Sequence, residues 1–183
     1  MKIFFCGAHG SGKTTLCRYV ADKYKLPILP EAARAVLAEK ELQLDSLRSN
    51  IDLVNSYQQS VFARQIAEEA KHESFVSDRS LIDCVAYSAS HSQIAHELFA
   101  DKALADYVKQ LAQDKSIIFF VRPSKATLKN DGVRETISWD GVVAIDAMVK
   151  LLFNIFDIRY FQVNSDSMQE RASMIDAVLS LVA

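Results

Sequence analysis

The sequence predicts an α/β fold, a three-layer sandwich whose central sheet is parallel and holds about five strands. Three observations predict it. Short apolar runs alternate with helix-forming stretches along the whole chain. Each run is a continuous block, as expected of strands covered on both faces. A glycine-rich loop follows the first run and opens the first helix, the order of a strand–loop–helix unit with a right-handed crossover.

Lys2 to Cys6 (Lys-Ile-Phe-Phe-Cys) stops at glycine and reads as the first buried strand. Thr14 to Tyr24 sets Leu16, Val20 and Tyr24 at helical spacing. Pro27 and Pro30 bracket a very short strand, Ile28–Leu29. Glu31 to Glu39 is alanine-rich and helical by propensity. Ser46 to Glu73 lacks Gly and Pro and reads as one long helix, with room for a break near its start. Ser74 to Ser77 is a third strand ending at Asp78. Ser80 to Ser90 and Ala100 to Asp114 read as helices, with His91 to His96 unassigned between them. Ser116 to Val121 is the strongest strand signal. Pro123 to Ser138 is polar and reads as a surface loop. Val142 to Phe156 is an apolar helix, Ile158 to Val163 the last strand and Ser167 to Val182 the last helix. Ser167 and Glu170 have the spacing of a capping box.

Of 183 residues, 50% are hydrophobic and 24% charged, which supports a packed core and argues against disorder. That length fits a single domain over 1–183, without linker or internal repeat. A formal net charge of −2 implies no bulk attraction to nucleic acid or an anionic membrane. Cys6, Cys17 and Cys84 form no Cys-x-x-Cys pair, so buried reduced thiols are expected rather than zinc ligands. The apolar stretch from Lys2 is expected to be strand rather than leader, and no apolar run reaches the roughly 20 residues of a membrane span. A soluble, cytoplasmic protein is the expectation.

Residues 7 to 14 read Gly-Ala-His-Gly-Ser-Gly-Lys-Thr, a GxxxxGK[ST] phosphate loop. Its fixed residues have mechanical reasons. Gly7, Gly10 and Gly12 let the backbone turn tightly and bring N–H groups to phosphate. The helix that follows adds its positive dipole end. Lys13, expected to be exposed between loop and helix, reaches the β- and γ-phosphates, and the Thr14 hydroxyl suits Mg²⁺. Ala8, His9, Ser11 and Thr15 complete the expected nucleotide contacts, with His9 at a variable position. The fold expected is thus the P-loop NTPase/kinase fold. ATP and Mg²⁺ are the expected cofactors.

Such a site also needs an acid for the metal and a group that handles the acceptor. Two acids end strands, where ligands sit in open parallel sheets. They are Glu31, after Ile28-Leu29-Pro30, and Asp78, after Phe75-Val76-Ser77. Glu31 could equally favour the start of the next helix, and Asp78 could cap the helix near Ser80. Arg34, three residues beyond Glu31, could form an i,i+3 pair with it.

Leu29-Pro30-Glu31-Ala32-Ala33-Arg34 and Ser77-Asp78-Arg79-Ser80 resemble the paired motifs of the P-loop nucleoside kinases, which include the deoxynucleoside kinases and the ribosylnicotinamide-kinase-like group. Asp131-Gly132-Val133-Arg134 is similar to the lid segment of the second group, which implies a lid over about 123–138. The resemblance runs from Gly7 to Arg134. It implies that Glu31 is the general base, although the residues leave open whether Glu31 or Asp78 does this. It implies that Asp78 holds Mg²⁺ through water, and that Arg79 contacts transferring or acceptor phosphate. Arg134, with Lys129, would be a lid cation. Arg122, after the strongest strand, could serve the adenine or phosphate side.

In this arrangement the acceptor pocket is built by the helices after the second and third strands. Gln58 or Gln59 could read a base edge, Arg34 and Arg79 could contact the acceptor, and Phe62 reads as core. No acid follows Ile117 to Val121, which leads to Arg122; this favours a kinase over a motor-type ATPase. The expected activity is a kinase acting on a small nucleoside- or nucleotide-like acceptor. A kinase acting on DNA is an alternative that the charge does not favour, and a nucleotide-dependent regulatory module is another. The apolar helix at 142–156 could be core or the interface of a homodimer.

Overall fold

The computed structural model describes residues 1–40, 47, 49–113, 116–126 and 138–182. The described elements follow in chain order: β1 (Lys2–Cys6), α1 (Lys13–Tyr24), β2 (Ile28–Leu29), α2 (Ala32–Glu39), α3 (Ile51–Glu69), β3 (Phe75–Asp78), α4 (Leu81–His91), α5 (Ala95–Ala100), α6 (Lys102–Gln113), β4 (Ile117–Val121), α7 (Trp139–Ile155), β5 (Phe161–Val163) and α8 (Met168–Val182). The five strands pair in the order β2-β3-β1-β4-β5, and every pairing is parallel. The predicted fold class is the observed one.

The pleat divides the apolar blocks between two cores. Ile3 and Phe5 of β1 join Val76, Phe119 and Val163 against Leu16 and Val20 of α1 and Ile175 and Leu179 of α8. Phe4 and Cys6 face the other way, with Phe75, Ile118 and Phe120, toward α2, α3, α4, α6 and α7. Neighbouring strands also meet through rings, with Phe4 edge-on to Phe75 and Phe5 stacked on Phe119, both at 5.3 Å between centroids. Cys6, Cys17 and Cys84 are free and buried, and burial pushes each thiol up, away from reactivity.

This topology positions the site. β1, which delivers the glycine loop, lies directly between β3 and β4. Phe5 pairs with Asp78, and Cys6 with Phe120. Asp78 therefore ends the strand beside the loop, while Arg122 follows the strand on its other side.

Several boundaries differ from the sequence reading for local reasons. The long helix begins at Ile51, because the Asn50 side chain accepts from the N–H groups of Asp52 and Leu53. It ends at Glu69, so residues 70–74 are the turn into β3; Ser46 lies outside the described residues. The unassigned stretch at His91 to His96 ends α4 and, from Ala95, starts α5. The next helix starts at Lys102 rather than Ala100, since Asp101 accepts from the Ala103 N–H at 2.8 Å. The last strand begins only at Phe161. Ile158 still donates to the Phe153 carbonyl at the end of α7, and Asp157 sits at φ 51°. The expected capping box of α8 is half formed: Ser167 Oγ accepts from the Glu170 N–H, whereas the Glu170 carboxylate accepts from Ser165 Oγ.

Helix α7 has one face in the core, as one reading of its apolar sequence expects, and carries apolar side chains outside it. Val142, Ile145, Val149, Leu152 and Phe153 are buried, while Val143, Leu151 and Ile155 are exposed. Residues 127–137, the greater part of the expected lid with Lys129 and Arg134, lie outside the described residues. Among the described residues no helix is long and apolar enough to cross a membrane.

Candidate active site

Gly7 leaves β1 at φ 131° and passes the end of β4 so closely that a Cβ there would lie 2.5 Å from the Val121 carbonyl oxygen. Only glycine tolerates both conditions. Gly10 and Gly12 also take positive φ, 71° and 89°. The loop is pinned from outside. The Gly7 N–H donates to Asp83 at 2.8 Å and the His9 N–H to the Tyr87 hydroxyl at 2.9 Å. Arg171, fully buried in α8, donates to three main-chain carbonyls: Ser11 of the loop at 2.5 Å, Arg122 after β4 at 3.0 Å and Ser165 after β5 at 2.5 Å.

Asp83 is as deeply buried as the glycine amide it holds. Its other oxygen accepts from the Ser80 N–H and hydroxyl, both at 2.9 Å, which closes the start of α4. The cap of that helix is thus built by Ser80 with Asp83, and Asp78 is left for another partner.

That partner is Thr14. Its hydroxyl donates to Asp78 at 2.5 Å, joining the first turn of α1 to the end of β3. Thr14 and Thr15 are exposed at this turn. Among the described residues no three His, Cys, Asp or Glu side chains cluster to hold a metal alone. A hydroxyl beside one carboxylate instead suits Mg²⁺, which keeps waters and takes phosphate oxygens for the rest of its shell.

Lys13 corrects an expectation. The sequence reading placed it as an exposed residue between loop and helix, but it is 4% exposed. Its stem passes beneath the loop, and the ammonium donates to the Ala8 carbonyl at 2.6 Å and to Ser11 Oγ at 3.3 Å. Burial, followed by the charge of Arg79, pulls its pKa down to about 8.

The second acid meets a second cation. Arg79 is buried and donates to Glu31 at 2.6 Å. Its backbone sits at φ 112°, strain of a kind that costs about 1–3 kcal/mol and gathers at functional sites. Its guanidinium lies 4.4 Å from the centre of the Tyr87 ring, so Tyr87 touches both the loop and Arg79. Arg79 Nη1 is buried without a hydrogen-bond partner among the described residues. The other Glu31 oxygen accepts from the exposed Arg34 at 2.9 Å, the i,i+3 pair weighed from sequence. Glu31 is the N-cap position of α2, so that alternative also holds in part. Tyr57 of α3 ties α2 in place through the Ala33 carbonyl.

The remaining candidates lie further out. Gln58 is buried on α3 while Gln59 is exposed. Phe62 is core, and Arg64 pairs with Glu39 and Glu68. Arg122 turns toward α7 and β5, pairing with Asp146 at 2.8 Å and donating to Gln162 at 3.3 Å. Sequence reasoning missed Asp83, Tyr87 and Arg171. Of these only Asp83 carried a signal, the Ser-x-x-Asp spacing from Ser80.

Solved structures place this geometry among known folds. The chain is similar to the deoxyadenosine kinase of M. mycoides in a dCTP complex, with a TM-score of 0.72 at 17% identity over 99% of this chain and 100% of that one. NadR protein in complex with NR gives a TM-score of 0.75 at 16% identity over 98% of this chain, which spans only 50% of that protein. Shikimate kinase from Acinetobacter baumannii gives 0.62 at 10% identity, over 99% and 92% of the two chains. At these identities the likeness establishes the fold, that of P-loop kinases. No curated protein sequence matches the chain. Residues 2–171 match the AAA_28 family, an AAA domain, and the chain belongs to that family.

Proposed function

We propose that the chain is an ATP- and Mg²⁺-dependent kinase that transfers the γ-phosphoryl group to a small nucleoside- or nucleotide-like acceptor. The observation that carries this reading is the placing of both strand-end acids close enough to Lys13, at the end of the glycine loop, for their charges to reach it. Asp78 holds Thr14, and Glu31 is held by Arg79, with Asp78, Arg79 and Glu31 all near enough to act on the charge of Lys13. The related structures support a small acceptor, since their complexes hold dCTP, NR and shikimate.

On this reading the loop amides and Lys13 bind and orient the triphosphate, and Thr14 with Asp78 would hold the cation. Mg²⁺, when bound, supplies charge neutralisation across the phosphates. Glu31 accepts the acceptor's proton. Both its oxygens are engaged by guanidinium groups, so one pair must open first; the exposed Arg34 is free to swing, whereas Arg79 is buried under Tyr87. The unpartnered Nη1 of Arg79 then meets an oxygen of the acceptor or of the moving phosphoryl group. Gln58 is the better base reader of the two glutamines, and Arg134 the lid cation. Arg122, bound to Asp146, would serve the donor side only by giving up that pair. We also propose an intracellular location, and a homodimer formed through Val143, Leu151 and Ile155; a purely monomeric sedimentation profile would remove the dimer.

ADP release coupled to a spectroscopic assay, run over a panel of nucleosides and nucleotides, tests the activity. Acceptor-stimulated turnover is expected for at least one compound, and none across the panel counts against the proposal.

A further inference from the structure

A cleft of about 450 Å³ lies at the far end of the sheet from the glycine loop, where β1 and β4 begin. Small-molecule sites commonly have this size. Phe4, Ile66 and Leu111 supply apolar walls, Glu69, Tyr107 and Ser116 supply polar groups, and Lys2, Lys71 and Glu73 bring charge of both signs to the lining. Two of the polar groups are incompletely used. Ser116 Oγ is buried with no hydrogen-bond partner among the described residues. Glu69 takes both of its hydrogen bonds on Oε1, from Gln65 at 2.7 Å and Tyr107 at 3.1 Å; its Oε2 receives none among the described residues. Apolar walls beside an acceptor with spare capacity are the make-up of a ligand site.

We propose that this cleft is a second ligand site, which takes a small molecule with an apolar body and a cationic N–H donor, an amine or amidine, seated on Glu69 Oε2. A carboxylate oxygen accepts only, so its partner must donate, and a cation makes the stronger, charge-assisted bond. Burial pushes the Glu69 carboxyl up to about 7, outweighing the hydrogen bonds from Gln65 and Tyr107 and the charge of Lys2, which pull it down. The site is joined to the fold's other end by hydrogen bonds. Gln65 also donates to Ser77, the neighbour of Asp78, and the Leu81 N–H donates to Tyr107.

Amide-resolved NMR titration of the whole chain with benzamidine tests this, with benzamide as the neutral probe of the same shape. It needs no nucleotide, so its outcome is separate from that of the phosphoryl-transfer proposal. The expected result is saturable shifts at Ala70, Leu111 and Ser116, with millimolar affinity. Benzamide should bind at least about tenfold more weakly, and Glu69→Gln should weaken benzamidine by a similar factor. Ala70→Phe, a change at an exposed rim position, should fill the cleft and remove the shifts without loss of folding. Equal affinity for the two probes, or undiminished benzamidine binding by Glu69→Gln, overturns the proposal. So does the absence of saturable shifts at the cleft, which would mean hydration alone.

Discussion

The glycine loop and the Glu31–Arg79 wall are linked by Tyr87, which touches both, yet they are built in opposite ways. The loop is a contiguous stretch, residues 7 to 13, whose turn is set by its own glycines. The wall joins residues 48 positions apart, brought together only because β2 pairs with β3. The loop's shape is local, but its rigidity is not: Asp83, Tyr87 and Arg171 hold it from α4 and α8. A motif therefore announces the turn of the loop, while distant side chains keep that backbone in place.

The largest break in this comparison should come from Gly7→Ala. A Cβ 2.5 Å from the Val121 carbonyl, at φ 131°, should cost about 3 kcal/mol or more, read as a fall in the denaturant midpoint. A wild-type midpoint would show that the loop relaxes without β4. Next is Arg171→Met, which leaves the carbonyls of Ser11, Arg122 and Ser165 without their donor at about 1–3 kcal/mol for an unmet buried group. It should also raise the KM for ATP more than it lowers kcat, with partial rescue by Arg171→Lys. An unchanged KM would separate the clamp from the loop.

A milder effect concerns protons. Lys13 titrates near 8 in the free protein, and phosphate beside it favours the charged form. Nucleotide binding should thus take up a proton above about pH 8, with affinity falling by at most about tenfold per pH unit. Calorimetry in buffers of different ionisation enthalpy measures this, and zero uptake would contradict the buried ammonium. The smallest effect is a control away from both regions. Ser138→Ala removes the cap on the Gly141 N–H and should cost about 1 kcal/mol without altering nucleotide affinity.

The sequence made the strands and the loop legible because buried blocks and glycine spacing are local signals. Asp78 and Glu31 were legible as strand ends. Lys13 was misjudged because exposure depends on how the stem threads under the loop, which its neighbours in sequence do not record. Arg171 was invisible for a related reason: a charged residue on an amphipathic helix looks solvated until β5 and the loop close over it. The split of α5 from α6 turned on a single aspartate cap.

The central claim is that the loop binds nucleotide while the wall does chemistry. Calorimetric titration with ATP and magnesium across wild type, Lys13→Met and Glu31→Gln tests it most directly, with turnover measured on the same samples. The account predicts binding in wild type, its loss in Lys13→Met, and unchanged affinity in Glu31→Gln, with turnover there down about 10²–10⁴-fold. No nucleotide uptake by the folded wild type, or full turnover by Glu31→Gln, would contradict it.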